Sequence, residues 1–388
     1  MRIVLLTRAT ISGRGTRDLP DTHPGMMEPK ARPRRRKPTI DDVARPRRRK
    51  PTIDDVAREA GVSVATVSRA LRGLPSVADS TRRRVVEAAT RLRYQADPSA
   101  ARLASGRTMT IALVAPFFGT WHTGEALAGI EEVLSDRGYD LLITASGLAS
   151  DGDHFLETVT ALDRRVDGVL TIDLYRHTPE PAPLPALPLP VVTIGELLRG
   201  HSGVAIPDEE AAERATRHLL ELGHRRIALM TSPTQNASPV PELREKGFRR
   251  AMADADAGVD PSLVVDGRFE LEGGAEAMAA LLALRRPPTA VFCLSDLMAF
   301  GAMQTCRELS VAVPGDMSIM GFDDQEVASA AGLTTMRQEV RAMGARAASM
   351  LIDRLEKPNS AAVHEQSGVE LVVRASTGPP RPGRGRSG

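Results

Sequence analysis

The segment from Val64 to Arg69 carries the clearest chemical signal in the chain. Arg69 can donate two parallel hydrogen bonds to the O6/N7 edge of guanine, and such a pair is worth about 1–3 kcal/mol of discrimination. Val64 and Ala65 can offer only apolar contacts, for example to a thymine methyl group. Small residues beside one guanidinium suit a helix that enters the major groove of DNA. Hydroxyl groups that could position DNA phosphates are found at Thr52, Thr66, Ser68 and Thr81.

Two short helices joined by a tight turn are predicted to position these groups. Apolar residues follow the spacing of a first helix at Ile53, Val56, Ala57 and Ala60. Gly61 ends this pattern, and Ser63 can cap a second helix from Val64 to Leu71. A third helix is expected from about Asp79 to Arg93, with Asp79 or Ser80 as its cap. The order predicts a helix-turn-helix headpiece over residues 51–95, although an ordinary helical hairpin would show a similar pattern.

The sequence T-I-D-D-V-A-R-E-A-G-V-S-V-A-T-V-S-R, which begins at Thr52, resembles the DNA-binding headpiece of the lac/gal repressor family. This resemblance implies that Val64 and Ala65 occupy the positions that contact base edges. It also implies a hinge helix within residues 96–109, whose Leu103 would wedge into the minor groove. A plain interdomain linker is the alternative for that segment.

Composition bounds the possibilities further. The 388 residues allow two or three domains, and 51 basic residues nearly balance 49 acidic ones. Basic residues crowd the segment from Arg32 to Arg107 and the last ten residues, which favours a nucleic-acid partner for the N-terminal part. Residues 1–50 are expected to form a disordered basic arm. The 13 residues Arg32–Ala44 recur as Arg45–Ala57, so that the second copy runs into the headpiece.

No secretory or membrane segment is evident, so a cytoplasmic protein without a membrane partner is expected. Cys293 and Cys306 suggest neither a disulfide framework nor a metal site. No cofactor and no metal are expected.

Strands and helices alternate from Thr110 onward in two successive units, which predicts an α/β architecture with parallel sheets covered on both faces. Phrases such as R-E-K-G-F-R-R-A-M and V-P-G-D-M-S-I-M-G-F-D-D resemble the effector-binding domain of the same family. That domain has the two-lobed, doubly wound fold of periplasmic binding proteins. The predicted domain spans residues 110–375, with interlobe crossings near 205–207, 311–314 and 340–343. A disordered tail is expected over residues 376–388.

Ligands of this fold bind between the lobes, at the carboxyl ends of the strands. Asp296, just after a strand, can accept hydrogen bonds from two sugar hydroxyls, and Arg244 offers a planar set of donors. The family resemblance implies that both bind the effector, although Asp296 could equally serve as a favourable charge at a helix N-terminus. Phe269, Trp121 and His122 could stack on a sugar or simply pack. Asp208 is interpreted as a helix cap, and the pair Asp323–Asp324 as structural.

These features favour a sequence-specific transcription regulator of the repressor type. It would bind a palindromic DNA operator as a homodimer and respond to a small-molecule effector, a carbohydrate. A solute-binding protein of the same fold is the alternative, which the headpiece and the missing signal peptide disfavour. An enzyme is not expected, because the sequence has no G-x-S-x-G, no P-loop and no G-x-G-x-x-G after a strand.

Overall fold

The computed structural model describes residues 3–6, 51–71, 75–94, 107–116, 118–146, 152–172, 189–232 and 239–381. The chain divides into two compact units, one spanning residues 8–107 and the other comprising residues 1–7 and 108–388. Most of the predicted hinge, including Leu103, lies outside the described residues. Within the described part, no helix is both long and apolar enough to span a membrane.

The smaller unit contains three helices, α1 (Ile53–Ala60), α2 (Val64–Leu71) and α3 (Asp79–Leu92). The backbone N–H of Thr52 donates to the Asp55 carboxylate over 2.9 Å, which caps α1. Gly61 ends α1 in a left-handed conformation at φ 63°, a region that glycine enters at little cost.

The three helices bury one common apolar face. Its fully or nearly fully buried members are Val56, Ala57, Ala60, Val67, Ala70, Val77, Val85, Ala88 and Ala89. The predicted helix-turn-helix and the third helix are therefore confirmed. The prediction that Asp79 or Ser80 caps α3 is wrong, because Ala78 holds the N-cap position and no side chain caps the helix there.

The larger unit alternates strands and helices along most of its length. Its first part contains β1 (Ile3–Leu6), β2 (Thr110–Ala115), α4 (Trp121–Asp136), β3 (Asp140–Ala145), α5 (Gly152–Leu162), β4 (Gly168–Ile172), β5 (Val191–Ile194) and β6 (Ser202–Ala205). Next come α6 (Asp208–Glu221), β7 (Ile227–Thr231), α7 (Pro239–Asp254), β8 (Val264–Asp266), α8 (Leu271–Leu282), β9 (Ala290–Cys293), α9 (Asp296–Glu308), β10 (Ser318–Asp323), α10 (Glu326–Ala331) and β11 (Thr334–Gln338). The last elements are α11 (Val340–Glu356), β12 (His364–Gln366) and β13 (Val369–Val372).

Two sheets define two lobes, as predicted. The first sheet has the strand order β1-β3-β2-β4-β5-β6-β12, and all its pairings are parallel. The second has the order β13-β11-β10-β9-β7-β8, and only β13 runs antiparallel to its neighbour. The central strands are buried along nearly their whole length, which explains why they read as continuous apolar runs rather than as alternating patterns.

The chain crosses between the lobes at three places. The first crossing lies between β6 and α6, at residues 206–207, and the second at Glu339, between β11 and α11; both agree with the predicted positions. The predicted crossing at 311–314 is wrong, because that segment joins α9 to β10 within the second lobe. The third crossing is at residues 367–368, between β12 and β13.

Close packing between helices explains why α11 belongs to the first lobe. It lies against α4 at Gly129 and Gly344, where an added Cβ would collide with the backbone of the facing helix. Since no side chain separates the two backbones there, α11 returns to the first lobe and carries β12 to the edge of its sheet.

Two predicted disordered segments contain ordered residues. Residues 376–381 pack on the second lobe, because Ser376 donates to the Ile319 carbonyl over 2.6 Å and accepts from the Thr334 N–H over 2.8 Å. Residues 3–6, four apolar residues, pair with β3 at the open edge of the first sheet. The disorder prediction is therefore wrong for these residues, and the rest of both segments lies outside the described part of the chain.

Candidate functional site

The outer surface of α2 carries the residues that were predicted to contact DNA. Val64, Ala65 and Arg69 are exposed, whereas Val67 and Ala70 on the opposite face are buried in the headpiece core. The Val64 side chain is 39% exposed, as single apolar side chains on protein surfaces often are. The helix therefore presents a small apolar surface beside one guanidinium group.

Arg69 differs from two other arginines of the headpiece. Arg58 pairs with Asp55 over 3.1 Å, and Arg91 pairs with Glu59 over 3.3 Å. Among the described residues, Arg69 forms no ion pair. Its donors are thus available for an external acceptor without the loss of an ion pair to any residue that the structure describes.

The predicted phosphate-positioning hydroxyls have different local roles. The Thr52 hydroxyl donates to the Asp55 carboxylate over 2.9 Å. The Thr66 N–H donates to the Ser63 hydroxyl over 3.2 Å, which confirms Ser63 as the cap of α2, and the hydroxyls of Thr66 and Ser63 lie 2.9 Å apart. Ser68 and Thr81 are half-buried. Their contacts with DNA, like that of Leu103, stay predictions.

In the larger unit, Arg244 occupies a buried position in the second lobe. Its Nε donates to Asp208 over 2.7 Å, and its Nη1 donates to the carbonyl of Leu294, also over 2.7 Å. The guanidinium carbon lies 3.5 Å from the centre of the Phe322 ring, within the range of a cation–π contact. Asp208 starts α6 but pairs with Arg244, so its predicted role as a helix cap is wrong.

Asp296 is fully buried at the start of α9. One carboxylate oxygen accepts from the Thr335 hydroxyl over 2.6 Å, and the other accepts from the backbone N–H of Gln325 over 2.8 Å. Burial and the neighbouring Asp323 raise the pKa of Asp296 from 3.8 to about 8. Asp296 thus links α9 to the ends of β10 and β11, and its direct contact with an effector stays a prediction.

Asp323 was interpreted as structural, yet it interacts electrostatically with both Asp296 and Arg244. It ends β10 with a positive φ of 127°, and one of its oxygens accepts from Gln338 Nε2 over 2.6 Å. Burial raises its pKa, while the charges of Arg244 and of His122 in the first lobe oppose this shift. Sequence analysis missed Asp323 and Gln338, although each ends a strand of the second sheet.

Asp324, the second member of the pair, forms two ion pairs. It lies within 2.7 Å of both Arg337 and Arg374. Burial raises its pKa, but the hydrogen bonds from Arg374 and Arg337 outweigh this effect, so that the pKa is lowered overall. The Asp324 carboxylate therefore joins the end of β10 to Arg337 of β11 and to Arg374, which follows β13.

A cavity of about 220 Å³ lies between the lobes. Trp121 and Glu125 of α4 line its first-lobe side, and Asp324, Arg337 and Gln338 line its second-lobe side. Trp121 is half-buried against the hydrophobic core, as is Phe269 in the loop after β8. Both aromatic residues therefore pack, and their stacking on an effector stays a prediction, as does any contact from His122.

Comparison with known proteins adds two family matches. A model described as bacterial regulatory proteins of the lacI family matches residues 52–97. A model described as a periplasmic binding protein-like domain matches residues 216–377. These matches coincide with the headpiece and with most of the second lobe.

Two relatives extend the similarity over most of the chain. The HTH-type transcriptional regulator AglR of Rhizobium meliloti (strain 1021) is 34% identical over 331 residues, which cover 82% of this chain and 92% of AglR. The HTH-type transcriptional repressor CytR of Escherichia coli (strain K12) is 31% identical over 336 residues, which cover 82% of this chain and 94% of CytR. Both are named as regulators, in agreement with the prediction that this chain is a regulator and not an enzyme.

Solved structures show the same fold. The transcriptional regulator CelR in complex with cellobiose is 31% identical, with a TM-score of 0.61 and coverage of 84% of this chain and 99% of CelR. The lac repressor dimer bound to operator and the anti-inducer ONPF has a TM-score of 0.75 at 24% identity, covering 85% of this chain and 100% of the repressor chain. Since the similarity to AglR and CytR spans both the headpiece and the two-lobed body, the chain belongs to the lacI family of bacterial regulatory proteins.

Proposed function

We propose that this regulator binds a palindromic DNA operator as a homodimer and represses transcription under the control of a carbohydrate bound between its lobes. The DNA-binding part of the proposal is supported by Arg69 on α2, which is exposed beside Val64 and Ala65 and forms no ion pair within the described part of the chain. A small headpiece contacts only one half-site, so tight binding requires two of them on a symmetric site.

Arg69 is the proposed base-reading donor, and Val64 and Ala65 supply apolar contacts to the neighbouring bases. Thr52, Thr66, Ser68 and Thr81 set the register on the phosphates. Residues 96–109 form the hinge, and Leu103 enters the minor groove between the two half-sites.

The effector half rests on the polar groups at the carboxyl ends of the second-lobe strands. Asp323, Gln338 and Arg244 lie together there, and the cavity beside them is lined from both lobes. Carboxylates and amides match the hydroxyl groups of a sugar, and CelR, which is similar in fold and 31% identical, was solved with cellobiose. Trp121, His122 and Phe269 are the proposed apolar contacts, with Asp296 in support.

Effector and operator must be coupled reciprocally if the proposal holds. A ligand that favours one arrangement of the lobes changes the affinity for DNA, and DNA changes the affinity for that ligand by the same factor. The coupling can take either sign, since a ligand can release the operator or strengthen its binding.

Fluorescence anisotropy on palindromic sequences from the DNA around its own gene tests this function. The full chain should bind one such duplex far more tightly than a scrambled duplex, with an affinity that falls steeply as salt rises. Removal of one half-site should cost most of the specific affinity, because only one headpiece can then make base contacts. Equal binding to palindrome, half-site and scrambled duplex would contradict the proposal.

A further inference from the structure

A second cavity, the edge cavity, lies at the border of the second sheet, where β8 is the outermost strand. Its volume of about 390 Å³ is large enough for a ligand, since small-molecule sites in proteins measure about 300–1,000 Å³. The lining residues come from β8, from the end of β7 and from the first two turns of α7. No described residue lines both the edge cavity and the cavity between the lobes, so the two are separate.

The hydroxyl group of Thr231, at the end of β7, is buried at the edge cavity. Only 5% of Thr231 is exposed, and its hydroxyl oxygen has no hydrogen-bond partner in the described part of the chain. Successive side chains of a strand face opposite sides of the sheet. Met230 lies with Met298 of α9 against Gly267, so Thr231 faces the other side, where α7 lines the cavity. An unpaired buried hydroxyl is unfavourable, and a ligand that bonds to it removes this penalty.

Burial differs among the side chains that line the edge cavity. Glu242 and Asp266 are exposed, Val264 and Val265 are half-buried, and Thr231 is buried. A ligand that extends from solvent to Thr231 therefore meets carboxylates first, apolar side chains next and a hydroxyl group last. Such a ligand matches the cavity if it has a polar group at each end and carbon atoms between them.

The charge of the edge cavity is negative, because every ionisable side chain among its described lining residues is a carboxylate. Glu245 pairs with Arg249 over 2.7 Å, whereas Glu242 and Asp266 form no ion pair with any described residue. Asp266 accepts the backbone N–H of Arg268 over 2.9 Å with one oxygen, which leaves its second oxygen for another donor. A carboxylate is favourable at the start of a helix in any case, which explains Glu242 but not Asp266.

An organic cation fits these carboxylates better than a metal ion does. Among the described residues, no group of three or more His, Cys, Asp or Glu side chains is arranged to hold a metal ion. An ammonium group needs no such coordination, since it is a compact charge with three hydrogen-bond donors. The carbon chain of an amine can in addition cover the apolar side chains of β8.

We propose that the edge cavity is a second ligand site, which binds a small aliphatic amine with a second hydrogen-bonding group. The ammonium group faces Glu242 and Asp266, the carbon chain contacts Val264 and Val265, and the second polar group bonds to the hydroxyl of Thr231. All these residues belong to the second lobe, so the site depends neither on the proposed carbohydrate site between the lobes nor on DNA.

Thermal shift of the full chain with matched probes tests this inference. The amines are aminobutanol, putrescine and agmatine, and the controls are butanediol and succinate, which replace the ammonium groups by hydroxyl groups and carboxylates. A ligand that binds only the folded protein raises the melting temperature in a saturable way. We expect a saturable rise with at least one amine, which shrinks as salt rises, and none with butanediol or succinate at the same concentration. No saturable rise with any of the three amines, or an equal rise with butanediol, would overturn the inference.

Thr231→Val assigns the binding to the edge cavity. It removes the unpaired hydroxyl at nearly constant shape, so the free protein should melt at the same temperature or higher. Its affinity for the binding amine should fall about two- to tenfold, as expected for the loss of one hydrogen bond. Thr171→Val is the matched control, since Thr171 of β4 in the first lobe is also buried with an unpartnered hydroxyl. This control should bind the amine as the wild type does, and equal affinities of the two variants would overturn the inference.

A second variant removes the charges without touching the protein interior. Glu242→Gln combined with Asp266→Asn changes two exposed carboxylates to amides and should lose most of the amine affinity. Asp254→Asn, at the opposite end of α7, is the control and should retain it. Unchanged amine binding in the double variant would show that the amine binds elsewhere and would refute the proposed site.

Operator binding by the same preparations is independent of this test. A protein that binds its palindrome specifically but binds no amine refutes only the edge-cavity site. A protein that binds an amine there but binds no palindrome refutes only the proposed function.

Discussion

Arg69 in the headpiece and Arg244 in the second lobe are both arginines, but the first is exposed and the second is buried. Arg69 is exposed and unpaired among the described residues, whereas Arg244 has a carboxylate, a carbonyl and an aromatic ring around it. A guanidinium that contacts an external partner must keep its donors available, and one that is buried must have them satisfied. The difference agrees with the proposed role of Arg69 in DNA recognition, whereas the donors of Arg244 are satisfied within its own site and its contact with an effector stays a prediction.

The largest effect is expected from Arg244→Leu. Truncation removes the guanidinium that pairs with the buried carboxylate of Asp208, and breaking a buried ion pair by removing one member costs about 3–5 kcal/mol. Chemical denaturation of the full chain measures the loss in the free energy of unfolding. Arg249→Leu is the control on the same helix, because its exposed pair with Glu245 should contribute about 0–1 kcal/mol. Similar losses in the two variants would mean that the buried pair of Arg244 and Asp208 stabilises the fold no more than an exposed ion pair does.

A dependence of stability on pH is expected from Asp296. Its folded-state pKa of about 8 lies above its ordinary value of 3.8, so the folded protein holds an additional proton between these values. The free energy of unfolding should therefore fall as the pH rises through this window and level off above it. Denaturation at a series of pH values should show a shallower fall for Asp296→Asn than for the wild type. Asp316→Asn is the control, since it removes an exposed carboxylate that pairs with Arg381, and it should fall as the wild type does. If the free energy of unfolding of Asp296→Asn fell with pH as steeply as that of the wild type, the pKa of Asp296 would not be raised by folding.

Arg69→Ala should leave stability unchanged and remove sequence preference in DNA binding. The loss of a bidentate contact to guanine is worth about 1–3 kcal/mol, whereas an exposed side chain without a partner contributes little to folding. Anisotropy with operator and scrambled duplexes measures the preference. Arg91→Ala is the control, because it removes another exposed arginine of the headpiece, the one paired with Glu59. This variant should keep the preference for operator over scrambled DNA. Equal specificity in the two variants would remove Arg69 from the base-reading role.

The smallest effect is expected from Leu103→Ala. It should weaken specific binding without unfolding the headpiece, because an inserted apolar side chain acts only when the duplex is bent around it. Affinity for operator, compared with the melting temperature of the free protein, checks this. If the variant bound operator as tightly as the wild type, the hinge assignment would be wrong.

The headpiece was largely predictable because its signals are local. The spacing of Ile53, Val56, Ala57 and Ala60, the break at Gly61 and the cap at Ser63 each act within a few residues. The alternation of strands and helices likewise predicted both lobes.

Features that depend on contacts between distant residues could not be predicted from the sequence. The path of α11 back to the first lobe is accompanied by close contact with α4, in which Gly129 lies against the backbone of Arg341 and Gly344 against that of Ala126, far apart in the chain. Adjacent aspartates also look alike in sequence, yet Asp323 reaches Gln338 and Asp324 reaches two arginines, because a backbone with positive φ turns the two side chains apart. The spacing of apolar residues predicts neither the contact between the two helices nor the different partners of the two aspartates.

Selection of binding sites from a random pool of duplex DNA by the full chain tests the central claim most directly. The account predicts enrichment of a two-fold symmetric sequence with a G·C pair at the same place in each half-site, and loss of preference at that pair alone in Arg69→Ala. Enrichment of no symmetric sequence, or of one that Arg69→Ala selects equally well, would contradict it.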